Sequence, residues 1–198
     1  MVDRYSQHFK ALKEELRRLR RHFLPPRLSR YPSDRRDEIR DKTRAYLVLV
    51  HAEIESYLER AIRDVIKVKY QEWDGRGRCS RVVVALVASV RREFNEASLN
   101  GRVRESFENA QRVISENHGI RERNLRKLFE LVGIDTDTEI DQTWLNDMDT
   151  FGQLRGDIAH RTRLQLTHFL EPRDAKQKVD NLLRGLRILD RKLQNLLR

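Results

Sequence analysis

The side chains in this sequence best equipped for chemistry are six histidines, at positions 8, 22, 51, 118, 160 and 168, set among 32 arginines. An imidazole titrates near neutrality, so one ring can take a proton and later return it, while a guanidinium stays charged and its planar fork matches two phosphate oxygens. An arginine with a histidine close by therefore holds what metal-free cleavage of a phosphodiester through a neighbouring hydroxyl requires: a base, an acid and a cation for the charge that builds on the phosphate. Such pairs recur here, as Arg17 with His22, Arg44 with His51, Arg112 with His118, Arg155 with His160 and Arg163 with His168. In so arginine-rich a chain the spacing alone singles out none of them.

Other chemistries drop out on pattern. No glycine-rich phosphate loop of the Walker or dinucleotide type occurs, and no serine sits in a nucleophile elbow. No two histidines stand four apart; His51 with Glu55 has that spacing, but one imidazole and one carboxylate are too few for zinc, and His51 reads more simply as a polar residue at a helix–helix contact. A single cysteine, Cys79, can form neither an internal disulfide nor a multi-cysteine metal site. No metal and no cofactor are expected.

The composition sets the scaffold. Leu, Ile, Val and Phe supply 56 of 198 residues, about 28% against the roughly 20% below which chains tend to stay disordered. Charged residues reach 36%, with only 8 Gly and 4 Pro, which disfavours a turn-dense β architecture and predicts an all-α bundle. The apolar runs are far shorter than a membrane span and no signal-peptide core is visible, so a cytoplasmic protein without a membrane partner is expected. The net charge of +10 is uneven: residues 1–33 carry nine basic and three acidic side chains, net +6, and the rest carry 32 and 28, net +4. Arg17, Arg18, Arg20 and Arg21 form a basic stripe suited to a polyanion, RNA among them, or to an acidic protein, although charge runs are often no more than solvated faces.

The periodicity predicts a basic amphipathic helix over 4–23, with Tyr5, Phe9, Leu12, Leu16, Leu19 and Phe23 in one seam. A proline linker closes an N-terminal unit at 33, and a helical domain of 34–198 follows. Its first helix, about 34–70, is capped by Ser33 or Asp34 and serves as the long central helix; Asp74 to Gly77 breaks it. Val82 to Phe94 combines β-branched residues with a helical repeat and is read as helix. Asn100-Gly101 reads as a turn, 103–117 and 121–132 as short helices parted by Asn117-His118-Gly119, 133–140 as loop, and Asp141 as the start of another helix. After Pro172 a C-terminal leucine-seam helix steps through Val179, Leu182, Leu186, Leu189, Leu193 and Leu196. The two terminal seams could pack on each other, on the central bundle or on a second subunit.

Residues 151–163 read Phe-Gly-Gln-Leu-Arg-Gly-Asp-Ile-Ala-His-Arg-Thr-Arg. Leu154-Arg155-Gly156-Asp157-Ile158-Ala159-His160 resembles the motif of the HEPN superfamily of helical endoribonucleases, an arginine followed after four to six residues by histidine. The stretch from Arg44 to Glu59 is similar to the early helix of RNA-repair and toxin-associated HEPN groups, RiboL-PSP among them, and Asn124 to Phe129, leading into Val132-Gly133-Ile134, to their short linker helix. The resemblance spans about 37–165. The position after the arginine, commonly Asn in these families, is Gly156 here.

This resemblance implies Arg155 and His160 as catalytic residues. Asp157, one turn before His160, can hold its ring by hydrogen bond. Many HEPN proteins carry an acidic residue on the early helix; Glu55 is the candidate, competing with Glu53 and Glu59, and a solvated face is the simpler reading. Arg161 and Arg163 are placed to contact flanking phosphates. On a straight helix Arg155 and His160 stand about 140° apart, so either the chain bends near Gly156, with Asp157 capping a new helix, or the site is assembled from two copies. The resemblance implies the second, a homodimer whose motifs face one cleft, and Gly152 and Gly156 would let another backbone approach closely.

Two functions follow. One is a metal-independent endoribonuclease that leaves 2',3'-cyclic phosphate ends, in a toxin–antitoxin, phage-defence or RNA-processing setting, with an antitoxin or other cognate protein as a possible partner. The other is a non-catalytic HEPN-like module that binds nucleic acid or a partner protein through its basic arm and seams.

Overall fold

From Arg36 to Arg76 the sequence contains no proline and a single glycine, Gly75, next to its end. In the computed structural model this stretch is one helix, α2 (Arg36–Arg76), of 41 residues and about 60 Å. The structure describes residues 5–28, 33–90, 93–95, 97–160 and 170–198, with backbone alone at 33, 159 and 160. Tyr46, Leu47, Val50, Ile54, Tyr57, Leu58, Ile62, Val65 and Ile66 are each no more than 2% exposed. They point in several directions around α2, so it is wrapped on many sides, and each contributes about 1.5–3 kcal/mol of apolar burial. Gly77 ends the helix in the left-handed conformation, φ 63°, a position that favours a residue without Cβ.

Around α2 stand α1 (Gln7–Phe23), α3 (Arg81–Ser89), α4 (Leu99–Ser115), α5 (Glu122–Glu130), the one-turn α6 (Thr136–Glu139), α7 (Gln142–His160) and α8 (Pro172–Leu196). Helices α1, α3, α4, α5, α7 and α8 all contact α2. The described residues contain eight α-helices and no strand, and none of these helices is long and apolar enough to cross a membrane. Phe9, Leu12, Leu16 and Leu19 of α1 and Val179, Leu182, Leu186, Leu189 and Leu193 of α8 are buried in the core that surrounds α2. Both terminal seams are thus filled within the protomer.

Several local expectations are corrected. Helix α2 runs past its predicted end at about 70, and the Asp74–Gly77 break falls at its last residue, Gly77. Neither Ser33 nor Asp34 caps α2: a 3-10 turn spans Ser33–Arg35, and Arg35 is the cap residue, without a side-chain hydrogen bond. Asn100-Gly101 is no turn. Ser98 accepts the Gly101 N–H at 3.1 Å and so draws both residues into the first turn of α4. The 133–140 loop contains α6, capped by Asp135, which accepts from Asp137 N at 2.9 Å. Of the helix predicted over Val82–Phe94, α3 takes in Val82 to Ser89, and residues 91 and 92 lie outside the described residues. Most consequentially, α7, opened by the Asp141 carboxylate on Trp144 N at 3.0 Å, runs unbroken through Gly156 to His160. The chain does not bend there, and Asp157 caps no new helix.

Among the described residues one carboxylate is fully buried. Asp190 of α8 is fully buried and accepts from the Ser6 N–H at 2.9 Å, the Ser6 hydroxyl and the Tyr57 hydroxyl at 3.1 Å, which ties the start of α1 and the middle of α2 to α8. Burial, with this anion beside it, pushes the Tyr57 phenol far above its ordinary pKa.

Candidate functional site

A cleft of about 620 Å³ opens between α2, the α4–α5 connection and α7, lined among others by His51, Glu55, His118, Arg121, Arg155 and Asp157. Helix α2 contributes His51 and Glu55, one turn apart and therefore on one side of the helix. The opposite side of α2 is taken by α1: Tyr57, two residues and about 200° on from Glu55, packs edge-on against Phe9 at 5.9 Å.

The α4–α5 connection is fixed on α2 by polar contacts. Gly119, at φ 122°, donates its N–H to the Glu55 carboxylate. Asn117 donates to Glu59 Oε1 at 3.0 Å and to the Gly119 carbonyl at 3.2 Å, and Asn124 donates to the same carbonyl at 3.3 Å. His118 is held between them, exposed on the rim of the cleft. The next wall is set by α7: Asp149 accepts from the backbone N–H of Glu122 at 3.1 Å and from Arg121 Nε at 3.3 Å, which places an anion at the N-terminus of α5. Gly152 makes this approach possible, since a Cβ there would lie 2.7 Å from Arg121 Cγ and 3.3 Å from its backbone nitrogen. The close approach predicted at Gly152 therefore occurs within the protomer. At Gly156 a Cβ would meet nothing within 4 Å.

Electrostatics separate the roles of the ionisable groups. His51 is 3% exposed, lies nearly parallel to Phe151 with ring centroids 6.2 Å apart, and has Nδ1 3.7 Å from Glu55 Oε2. Burial, and after it the nearby Arg155 guanidinium, holds its pKa down to about 4, so the ring is neutral at pH 7. A base so weak is poorly matched to proton transfer at that pH. Glu55 is half-buried, not solvated as the simpler reading had it. Burial raises its pKa, and Glu59 adds to this, against the Gly119 hydrogen bond, Arg155 and His118, which lower it. Arg155 is exposed on the cleft wall and has no hydrogen-bond or ion-pair partner among the described residues.

Of the residues singled out in the sequence, Glu55, Arg155 and Asp157 meet in this cleft. The last residue of α7, His160, continues the row Gly152–Gly156 at steps of four, the row that borders the cleft; its side chain, like Arg161 and Arg163, lies outside the described residues. Arg17, Arg18, Arg20 and Arg21 are exposed on α1, on the other flank of α2. Arg18 is paired with Glu15, and the other three border a separate hollow of about 580 Å³ with Leu24, Pro25, Pro26 and Leu28. Sequence reasoning missed His118 and Arg121 as parts of the site, and assigned His51 to packing alone. Only the i, i+4 spacing of His51 and Glu55 signalled any of them. No group of three or more metal-ligating side chains occurs among the described residues.

A family model described as RiboL-PSP-HEPN matches residues 11–195, which takes in most of α1 and α8 as well as the 37–165 stretch that carries the motif. Comparison with curated proteins and with solved structures returns no match.

Proposed function

This chain belongs to the RiboL-PSP-HEPN family, and on that premise we propose that it is a metal-independent endoribonuclease. In this reading Arg155 binds the scissile phosphate and stabilises the charge that develops on it, and His160 moves the proton between the attacking 2'-hydroxyl, the ring and the departing 5'-oxygen. Asp157, three residues before His160 on the same helix, orients the imidazole; Arg161 and Arg163 hold flanking phosphates. Glu55 fixes the His118 connection and lies within electrostatic reach of the Arg155 guanidinium. The observation that carries the reading is Arg155, without a hydrogen-bond or ion-pair partner among the described residues, in the same cleft as Glu55 and beside the Gly152–Gly156 row that His160 continues.

On unbent α7 Arg155 and His160 of one copy stand about 140° apart, which supports a reading in which the active species is a homodimer, two motifs face one cleft and two copies of His160 serve as base and acid. The setting is a toxin–antitoxin, phage-defence or RNA-processing system, with an antitoxin or other cognate protein as regulator. The test is RNA cleavage in the presence of EDTA by wild type, His160→Ala and Arg155→Ala. Products with 2',3'-cyclic phosphate and 5'-hydroxyl ends, made by the wild type alone, are expected. Undiminished cleavage by His160→Ala would reject the proposal.

A second reading is a non-catalytic module that binds nucleic acid or protein through the exposed arginines of α1, which face away from the cleft. Because α1 is built into the core, neutralising Arg17, Arg20 and Arg21 to Gln tests it better than deleting the helix. Binding that is salt-sensitive, lost in that variant and unaccompanied by cleavage would favour it.

A further inference from the structure

On the far side of the His118 connection lies a groove of about 480 Å³, walled by α4 and α5, and His118 lines both this groove and the cleft. The rib that separates them is fixed, since Asn117, Gly119 and Asn124 hydrogen-bond it to itself and to Glu55 and Glu59. Helix α5 sorts its cations into two kinds. Arg126 is consumed by structure, with Nε on Glu122 at 2.7 Å and Nη1 on Thr136 at 2.6 Å and Asp137 at 2.8 Å. Arg123 and Lys127, one turn apart on the groove side, are exposed and make no hydrogen bond or ion pair among the described residues. Val113, Leu128 and Leu131 supply apolar lining beneath them.

We propose that this groove is an RNA subsite: a strand whose scissile phosphate sits in the cleft passes over His118 and lays its next phosphate between Arg123 and Lys127. The inference rests on the nuclease reading for the identity of the strand. Glu116 and Glu130 also line the groove, so it has no net charge and does not concentrate free anions. It acts on a strand already anchored next door, for which the second contact is intramolecular and the effective concentration high. An RNA chain fits better than an acidic peptide because the cations recur on both sides of the rib, matching a polymer with a charge at every unit.

The test uses RNA oligonucleotides of increasing length with a 2'-O-methyl group at the scissile position, which blocks attack but leaves the phosphates. Their affinity for the wild type and for Arg123→Gln/Lys127→Gln is read by fluorescence anisotropy against salt, and cleavage of the unblocked RNAs is followed in parallel. Both substitutions are on the surface, and an unchanged unfolding transition verifies the fold. For the wild type, affinity is expected to step up once the strand is long enough to cross His118. The double variant should lose that step, with its salt slope reduced by about 0.7 for the one lost single-strand phosphate contact, while dinucleotide cleavage stays at the wild-type rate.

A length step that persists in the double variant overturns the subsite and leaves the nuclease reading intact. Equal loss on dinucleotide and long RNA also overturns it, since the residues would then serve the cleft or the fold. A wild type that cuts nothing yet shows the step, abolished in the variant, supports the groove as an RNA site and refutes the nuclease. An acidic peptide that binds through Arg123 and Lys127 where RNA does not would overturn the choice of ligand.

Discussion

His51 should make the fold sensitive to mild acid. Its burial in the α2–α7 contact, reinforced by the cation of Arg155, holds the folded pKa at about 4, against about 6.5 in the unfolded chain. Below about pH 6.5 the unfolded chain takes up this proton and the folded chain does not, so His51 lowers stability progressively as pH falls, until the folded ring titrates near 4 and the loss levels off. The gap corresponds to about 3 kcal/mol at about 1.4 kcal/mol per pH unit, a large part of the roughly 5–15 kcal/mol that holds a domain together. His51→Gln keeps a polar side chain but has no proton to gain. Between about pH 7 and about pH 4.5, urea unfolding of the wild type should show about 2–3 kcal/mol more loss than the variant; the titration of Glu55 is common to both and largely cancels. Arg155→Gln, which removes the lesser cause, should shrink the excess without abolishing it. Equal losses in wild type and His51→Gln would refute the reasoning.

The two glycines of α7 should behave oppositely. Gly152→Ala drives a methyl into Arg121, backbone included, and should cost about 1–3 kcal/mol, whereas Gly156→Ala meets open space and should stabilise the helix by up to about 1 kcal/mol; denaturant titrations of both read the difference. Gly185→Ala would place its methyl against the Trp144 ring, whose Nε1 donates to the Leu182 carbonyl at 3.1 Å, so destabilisation with a shift in tryptophan emission is expected. Asp190→Asn replaces an anion that receives three donors with an amide that carries donors of its own, and should cost about 2–4 kcal/mol. Hydrogen exchange in α1 should then speed up, and unchanged protection would count against the clasp.

The elements with one clean period were legible in the sequence, and those governed by a neighbour were not. The seams of α1 and α8 repeat at three and four because a single face is buried, and that period is visible in residue order alone. Asn100-Gly101 misled because turn residues were weighed without Ser98, whose side chain captures Gly101 for a helix. At the candidate site, Arg155 and Asp157 were singled out through a motif that carries family likeness, and Glu55 only as one of three carboxylates on a helix that does the same. His118 was not, because its placement depends on Glu55 and Glu59, more than fifty residues earlier, gripping a connection through Gly119 and Asn117. Glu55 could not be told from Glu53 and Glu59 by spacing, since which carboxylate enters a cleft is decided by the helices that wall it.

The link between Ser6 and Asp190 joins positions 184 apart, and this bears on biosynthesis. While a ribosome is still making the segment before Pro172, α2 has already emerged with the flank that α8 will cover left bare, and the carboxylate that fastens Ser6 and Tyr57 has not been translated. A message truncated in that segment should yield a sticky, protease-sensitive fragment instead of a smaller working protein.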